Sequence, residues 1–304
     1  MKYILTLFAA LFVTIEVQAR VLRVNNSDGS APYSKMEDAI NAAVEGDTIM
    51  IDGSANSYGS ITLDKRLVLI GNGYNLVANG ISTEATLVAT VYSVTVNAAG
   101  CVIQSLCVSG DVYGGNITIN APKVIVNRCY LGSGEYSITM GEGADNCIIH
   151  QNRIRGNIGS IYYYTSNHQI TNNLLNNIAL KGILDSYVAY NTSRDQWGDG
   201  GAYLKGNKFE KNLVYTENFG NGDNDNTYVD NYSTGNLFVN AKNEVELKAV
   251  ELPAGALGKG CFAGDDPFVI SGLPSGPMIE SLDVPTSVEA GGTMTVRVKI
   301  GSIN

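Results

Sequence analysis

The sequence predicts an all-β protein built as a parallel β-solenoid, and three observations carry that prediction. Short apolar-polar alternations recur every 18 to 23 residues. Asparagine, which strands ordinarily avoid, returns at one place in that repeat. No segment of the repeat has the length and periodicity of a helix.

The repeat is read from one column. IHQN ends at Asn152, ITNN at Asn173, VAYN at Asn191, FEKN at Asn212 and YVDN at Asn231, with spacings of 21, 18, 21 and 19 residues. Two earlier segments end at Cys129 and Leu106, each 23 residues before the next. Three positions upstream stand Ile103, Val126, Ile149, Ile170, Val188, Phe209 and Tyr228; two positions downstream the column is again largely apolar. Alternate burial of this kind marks short strands joined by turns. Leucine-rich repeats share the period but need an L-x-x-L-x-L density that is missing. Asparagine tolerates the left-handed backbone of a tight turn and carries both a donor and an acceptor. Stacked coil on coil it can satisfy buried backbone groups, so the column is expected to be a structural ladder rather than a ligand site.

The elements follow in order. MKYILTLFAALFVTIEVQA combines Lys2, an apolar run over residues 3–15 and a small-residue site at Val17-Gln18-Ala19. Residues 1–19 therefore read as a signal peptide, too short in its apolar part for a comfortable membrane span. No later segment is long and apolar enough for one, and no Cys stands at the cleavage point to take a lipid. The expected mature chain begins near Arg20 and is exported, to periplasm, cell surface or medium. Its net charge stays at −9, with 16% charged residues, which argues against a nucleic-acid partner.

Ser34-Lys35-Met36-Glu37 has capping-box spacing and Gly46 is a natural stop, predicting a short helix over about 34–45 that covers the open end of the stack. The solenoid is expected to span residues 20–276, with an irregular last coil over about 240–276, where the prolines gather. Residues 277–304 carry two strand-like runs, 279–284 and 293–300, around a Gly-Gly turn. So short a unit cannot bury its own core, so it is expected as a hairpin that docks on the solenoid or on a partner protein.

With those segments on the page, the chain resembles the right-handed parallel β-helix, or pectin lyase-like, superfamily, in particular its exported bacterial members. APYSKMEDAINAAVEGDTIMI resembles the entry helix and first strand, DKRLVLIGNGYNL the first full coil, and ELPAGALGKGCFAGDDP the irregular last coil. The tail resembles the opening strands of bacterial immunoglobulin-like modules. The resemblance implies a right-handed coil and an association with polysaccharide. Polygalacturonase-type hydrolases in that superfamily carry paired aspartates, a Gly-His-Gly and an Arg-x-Lys on successive coils. Here the one Asp-Asp pair, Asp265-Asp266, and the one Arg-x-Lys, Arg297-Val298-Lys299, both lie outside the repeat, and Gly-His-Gly does not occur. The Arg-x-Pro-x-x-Arg segment of pectate-lyase-like enzymes does not occur either.

The five cysteines do not suggest disulfides. Cys101 and Cys147 share a column but sit two coils apart, about 9.6 Å at normal strand spacing, beyond the reach of a bridge. Cys107 and Cys129 are one column out of step. Cysteines acting as small buried hydrophobes are expected.

Candidate binding residues are Arg155 and Arg194, which share a column three residues past the ladder, and the loop that follows with Asp195, Trp197 and Asp199. Trp197 can stack on a sugar ring while an arginine holds a carboxylate. The alternative is a surface turn whose Trp packs on a neighbouring coil, and that reading is favoured. GNGDNDN offers Ca²⁺ the carboxylates of Asp223 and Asp225, but Tyr228 and Thr234 stand where an EF-hand loop needs Gly and Glu, so a solvated turn is expected. No catalytic set, metal site or cofactor is otherwise indicated. His150 falls in an outward column and His168 in an inward one. The Tyr162-Tyr163-Tyr164 run is expected to place rings on both faces of a strand. Three functions stay open: carbohydrate interaction without cleavage, a divergent lyase of an acidic glycan, and a structural or adhesive surface protein.

Overall fold

In the computed structural model the chain winds as a parallel β-solenoid of about seven turns, consistent with a right-handed parallel β-helix, with 7% helix and a short C-terminal hairpin. The structure describes residues 19–76, 88–110, 115–132, 135–176, 180–194, 204–215, 225–238, 240–283, 293–294 and 296–303. The expected signal peptide lies outside them up to residue 18.

Three parallel sheets form the walls. The first, ten strands among the described residues, climbs from Val21–Val24 through Val102–Gln104 and Ile148–His150 to Thr227–Val229. The second, of eight, runs from Thr90–Val91 to Tyr232–Ser233, and the third, of six, from Ser60–Leu63 to Leu180–Lys181. In the first sheet the coils stack in register, Ile103 on Val126, Val126 on Ile149, Ile149 on Ile170. These inward residues and their equivalents on the other sheets are buried and fill one continuous core.

From Val102–Gln104 onward, each described coil turns between the first and second sheets on two residues. The ladder asparagine is the second of them. Asn152 N–H donates to Asn173 Oδ1 at 2.9 Å, Asn173 N–H to Asn191 Oδ1 at 3.0 Å, Asn191 N–H to Asn212 Oδ1 and Asn212 N–H to Asn231 Oδ1 at 2.9 Å. Each amide Nδ2 donates to a carbonyl of the preceding coil, as Asn173 does to Ile149 O at 2.8 Å. The left-handed residue, however, is the one before it. Ser105, Arg128, Gln151, Asn172, Tyr190, Lys211 and Asp230 have φ between +51° and +59°. The expectation that asparagine is chosen for a left-handed backbone is thus corrected: its amide chemistry, at a position fully buried from Asn152 to Asn212, is what the turn needs.

A second ladder, not anticipated, stands at the other edge of the first sheet. Cys147 N–H donates to His168 Nδ1 at 3.2 Å, His168 N–H to Ser186 Oγ, Ser186 N–H to Asn207 Oδ1 and Asn207 N–H to Asn226 Oδ1, the last three at 2.9 Å. His168 is inward and 1% exposed, as its column predicts.

The entry helix α1, Met36–Ala42, is shorter than the sequence suggests. Lys35 occupies its N-cap with no side-chain hydrogen bond, so the capping box does not form, and Gly46 lies in the following turn instead of ending it. Met36 and Ala39 seat the helix on the core. Beside it Arg20 pairs with the buried Asp47 at 2.8 Å. The Arg20 side-chain hydrogen bond is the main cause that holds this carboxyl down to about 2.

Residues 240–276 do not make a coil. A short helix α2, Glu244–Lys248, lies beside the second sheet, and residues 259–273 run back along the outside of the turn column as a strap. Lys259 pairs with Asp230 at 2.7 Å, Gly260 N–H donates to Lys211 O, Asn172 Nδ2 donates to Ala263 O and Arg128 Nη1 to Leu273 O. The strap covers a second apolar cluster that includes Leu174, Leu213, Leu247, Cys261 and Phe268. Gly260 and Gly272, not proline, fit it to the solenoid. A Cβ on Gly272 would meet the Tyr74 ring at 2.3 Å. Beyond the strap, Gly276–Asp283 pairs antiparallel with Arg297–Ile303. Val296, Val298 and Ile300 on that hairpin are exposed.

Candidate binding cleft

The outward positions of the second sheet form one column: Thr90, Cys107, Tyr130, Arg153, Leu174, Thr192 and Leu213, each in register with the next. The strap and α2 bury Leu174 and Leu213. They stop short of the rungs from Thr90 to Arg153, and there a cleft of about 400 Å³ opens. Its floor is Thr90, Cys107, Tyr130 and Arg153, its sides are Tyr74, Asn75 and Val88, and Glu244 of α2 closes one end. The volume falls in the range of small-molecule sites.

Aromatic and polar groups meet in this space. The Tyr74 and Tyr130 rings lie 5.6 Å apart at 52°. The Arg153 guanidinium lies 5.7 Å from the Tyr130 centroid and forms an ion pair with Glu244. Asn75 Nδ2 donates to the other Glu244 oxygen at 3.3 Å. Arg153 and Glu244 side chains are only 12% and 10% exposed. Burial pushes the Arg153 guanidinium down from its ordinary value, with Arg155 and Arg194 adding repulsion, and burial likewise pushes the Tyr74 phenol up. Arg153 Nε and the Tyr74 hydroxyl, both lining the cleft, find no hydrogen-bond partner among the described residues. Buried donors without partners are costly, and a polar ligand would satisfy them.

Of the residues named from sequence, Arg155 lies at the rim, exposed, with Nη1 donating to Tyr130 OH at 3.0 Å. Arg194 is half-buried, and its Nη2 donates to Ala241 O, three residues before Glu244. It therefore braces the segment that leads into α2. Asp195, Trp197 and Asp199 lie outside the described residues, as does Asp223. Asp225 is exposed, 4.0 Å from Lys205 Nζ. The described residues hold no group of three or more His, Cys, Asp or Glu arranged for a metal. All five cysteines are free, and burial pushes the Cys107 thiol up. His150 faces outward, its ring between Thr171 Oγ1 at 2.8 Å and Asp266 Oδ2 at 2.9 Å.

Tyr130 and Arg153 carried a readable signal that the sequence analysis passed over. They sit one place past the ladder, an outward column in which Tyr and Arg precede Leu174 and Leu213. Tyr74, Asn75 and Glu244 carried none, because they arrive from outside the repeat.

By architecture and site the molecule is a parallel β-solenoid with an aromatic, arginine-lined cleft on one wall. Comparison of the chain with protein-family models, curated proteins and solved structures gave no match. No described helix is long and apolar enough to cross a membrane.

Proposed function

We propose that this chain is an exported β-helix protein of the pectin lyase-like kind that binds carbohydrate in the cleft without cleaving it. The observation that carries this reading is the meeting of the Tyr74 and Tyr130 rings with Asn75, Thr90, Arg153 and Glu244 in one cleft. Sugars present apolar C–H faces and dense hydroxyls, and such a site offers aromatic surface for the first and fixed hydrogen-bonding groups for the second. The N-terminal residues support export, and the exposed C-terminal hairpin is the place for a protein partner.

Binding rather than cleavage is favoured by the electrostatics. The Tyr74 phenol, pushed up by burial, stays protonated at neutral pH, and Arg153 is already engaged by Glu244. Neither is poised to remove a proton. The test is calorimetric titration of the mature protein with pools of soluble plant, algal and host oligosaccharides, with Ca²⁺ present, followed by chromatography of the products. Saturable binding is expected, weakened about tenfold or more by Tyr130→Ala through the loss of ring contact, with no new product. Unsaturated oligosaccharides would instead make the protein a lyase, and absence of binding by every pool would leave the structural or adhesive reading.

A further inference from the structure

A second feature stands apart from the cleft, at the corner between the third sheet and a fourth, three-stranded sheet that begins at Thr165–Ser166. The sequence leads one to expect that the three consecutive tyrosines lie in a strand and divide between its faces. They do not. Residues 161–164 form a loop between Asn157–Gly159 and Thr165–Ser166, and every one of them is turned to solvent. Ile161 is 44% exposed, Tyr162 81%, Tyr163 45% and Tyr164 59%.

The loop is built and held. Ser160, itself buried, accepts hydrogen bonds at Oγ from the N–H of Tyr162 at 3.0 Å and of Tyr163 at 3.3 Å. The next coil supports it from below, where Gly182 has φ +66° and a Cβ there would stand 2.3 Å from Tyr163 O and 2.6 Å from Ser160 O. Only glycine lets the two backbones approach so closely. Thr165 N–H then donates to Gly182 O at 2.9 Å, returning the chain to the solenoid. Four consecutive large side chains are thus displayed by a braced turn, at the cost of keeping their apolar surface in water.

The charge around them selects a partner. From Gly156 to Leu180 the chain contains no Asp, Glu, Lys or Arg, and its one histidine, His168, is buried. Lys181, the next cation, is turned onto the Tyr136 ring, 5.4 Å from its centroid. Anionic membranes, nucleic acids and acidic glycans are all held by Lys and Arg. On the preceding coil Asp145 Oδ1 accepts from the Ser166 N–H at 2.7 Å and from its hydroxyl at 3.2 Å. A turn of tyrosine rings whose own stretch of chain is uncharged, beside that carboxylate, matches a chain that is flat, uncharged and rich in hydroxyl groups. We propose that the Ile161–Tyr164 turn is a stacking platform for a neutral polysaccharide, separate from the cleft and independent of what the cleft binds.

The experiment is co-sedimentation of the mature chain with insoluble cellulose, chitin and neutral xylan, in low salt and in about 1 M NaCl, where the screening length is about 3 Å. The expected result is retention on at least one of the three, unchanged by salt, and weakened about tenfold or more in a Tyr162→Ala variant. The Tyr162 ring is 81% exposed, so the variant is expected to melt with the parent, which circular dichroism checks. No retention on any of the three overturns the platform, as does equal retention of the variant. Salt-sensitive retention, or sedimentation with phosphatidylcholine vesicles in place of the polysaccharides, overturns it in favour of another partner. Failure of soluble oligosaccharides to enter the cleft has no bearing on this result, because ligand and variant both differ.

Discussion

At the scale of the residue, His168 shows how one position in a ladder can be filled by different chemistry. Its Nδ1 accepts the Cys147 N–H, so Nε2 carries the ring proton and faces Thr165 Oγ1 at 3.0 Å. It does for its coil what the Asn207 amide does two coils on, but it can be switched off by acid. Burial pushes the His168 imidazole down to about 4 from an ordinary 6.5. The folded chain keeps the ring neutral where the unfolded chain would protonate it. This contribution to stability is therefore complete above about pH 6.5, is lost as pH falls, and is gone below about pH 4, roughly 3 kcal/mol in all. Urea unfolding at about pH 7 and about pH 4.5 should show that loss, and it should shrink in His168→Asn, which keeps an acceptor that does not titrate. An equal pH dependence in the two proteins would show that His168 is not its source.

At the scale of the element, the strap explains why the turn column holds arginine, glutamine and asparagine in a conformation that glycine adopts more cheaply, by about 1 kcal/mol or more at each site. Their side chains are the fasteners. Gln151 accepts from Arg128 Nε at 2.6 Å through Oε1 and donates through Nε2 to Pro267 O at 2.6 Å and Asp266 Oδ1 at 2.7 Å. Arg128 is 2% exposed and leans on this glutamine. Gln151→Ala removes all three contacts and leaves a buried guanidinium N–H unpaired, a loss of about 1–3 kcal/mol. Amide hydrogen exchange should then speed at the strap, at Phe268 and Gly272 in particular, more than in the central coils. Uniform acceleration throughout the chain would mean that strap and solenoid unfold as one.

At the scale of the whole molecule, a solenoid is stabilised by contacts between neighbouring coils, so the position of a defect along the stack decides its effect. Asn173 is fully buried and bonded on both sides, whereas Asn231, the last asparagine of the column, is half-exposed. Asn173→Ala leaves the Asn152 N–H unpaired in the interior and takes one hydrogen bond from the Ile149 carbonyl, at about 1–3 kcal/mol for the unpaired group. Asn231→Ala opens groups that water reaches. Thermal melts should place the first variant well below the second, and equal melting temperatures would argue against the ladder as a continuous stabilising element.

The solenoid, the ladder column and the inward or outward sense of most strand residues, Ile149 and both histidines among them, are legible in the amino-acid order. These depend on contacts between one coil and the next, repeated every 18 to 23 residues, and repetition makes a local interaction visible in a single chain. The amino-acid order did not reveal that the left-handed residue precedes the asparagine, since an asparagine suits either place. Where residues 240–276 go, and with them the cleft, is visible in the folded chain alone. Asn75 meets Glu244 across 169 residues, Arg128 meets Leu273 across 145 and His150 meets Asp266 across 116. Such contacts occur once, with no period to announce them. They form because the finished wall leaves Leu174 and Leu213 to be covered, and the strap that covers them ends beside Arg153.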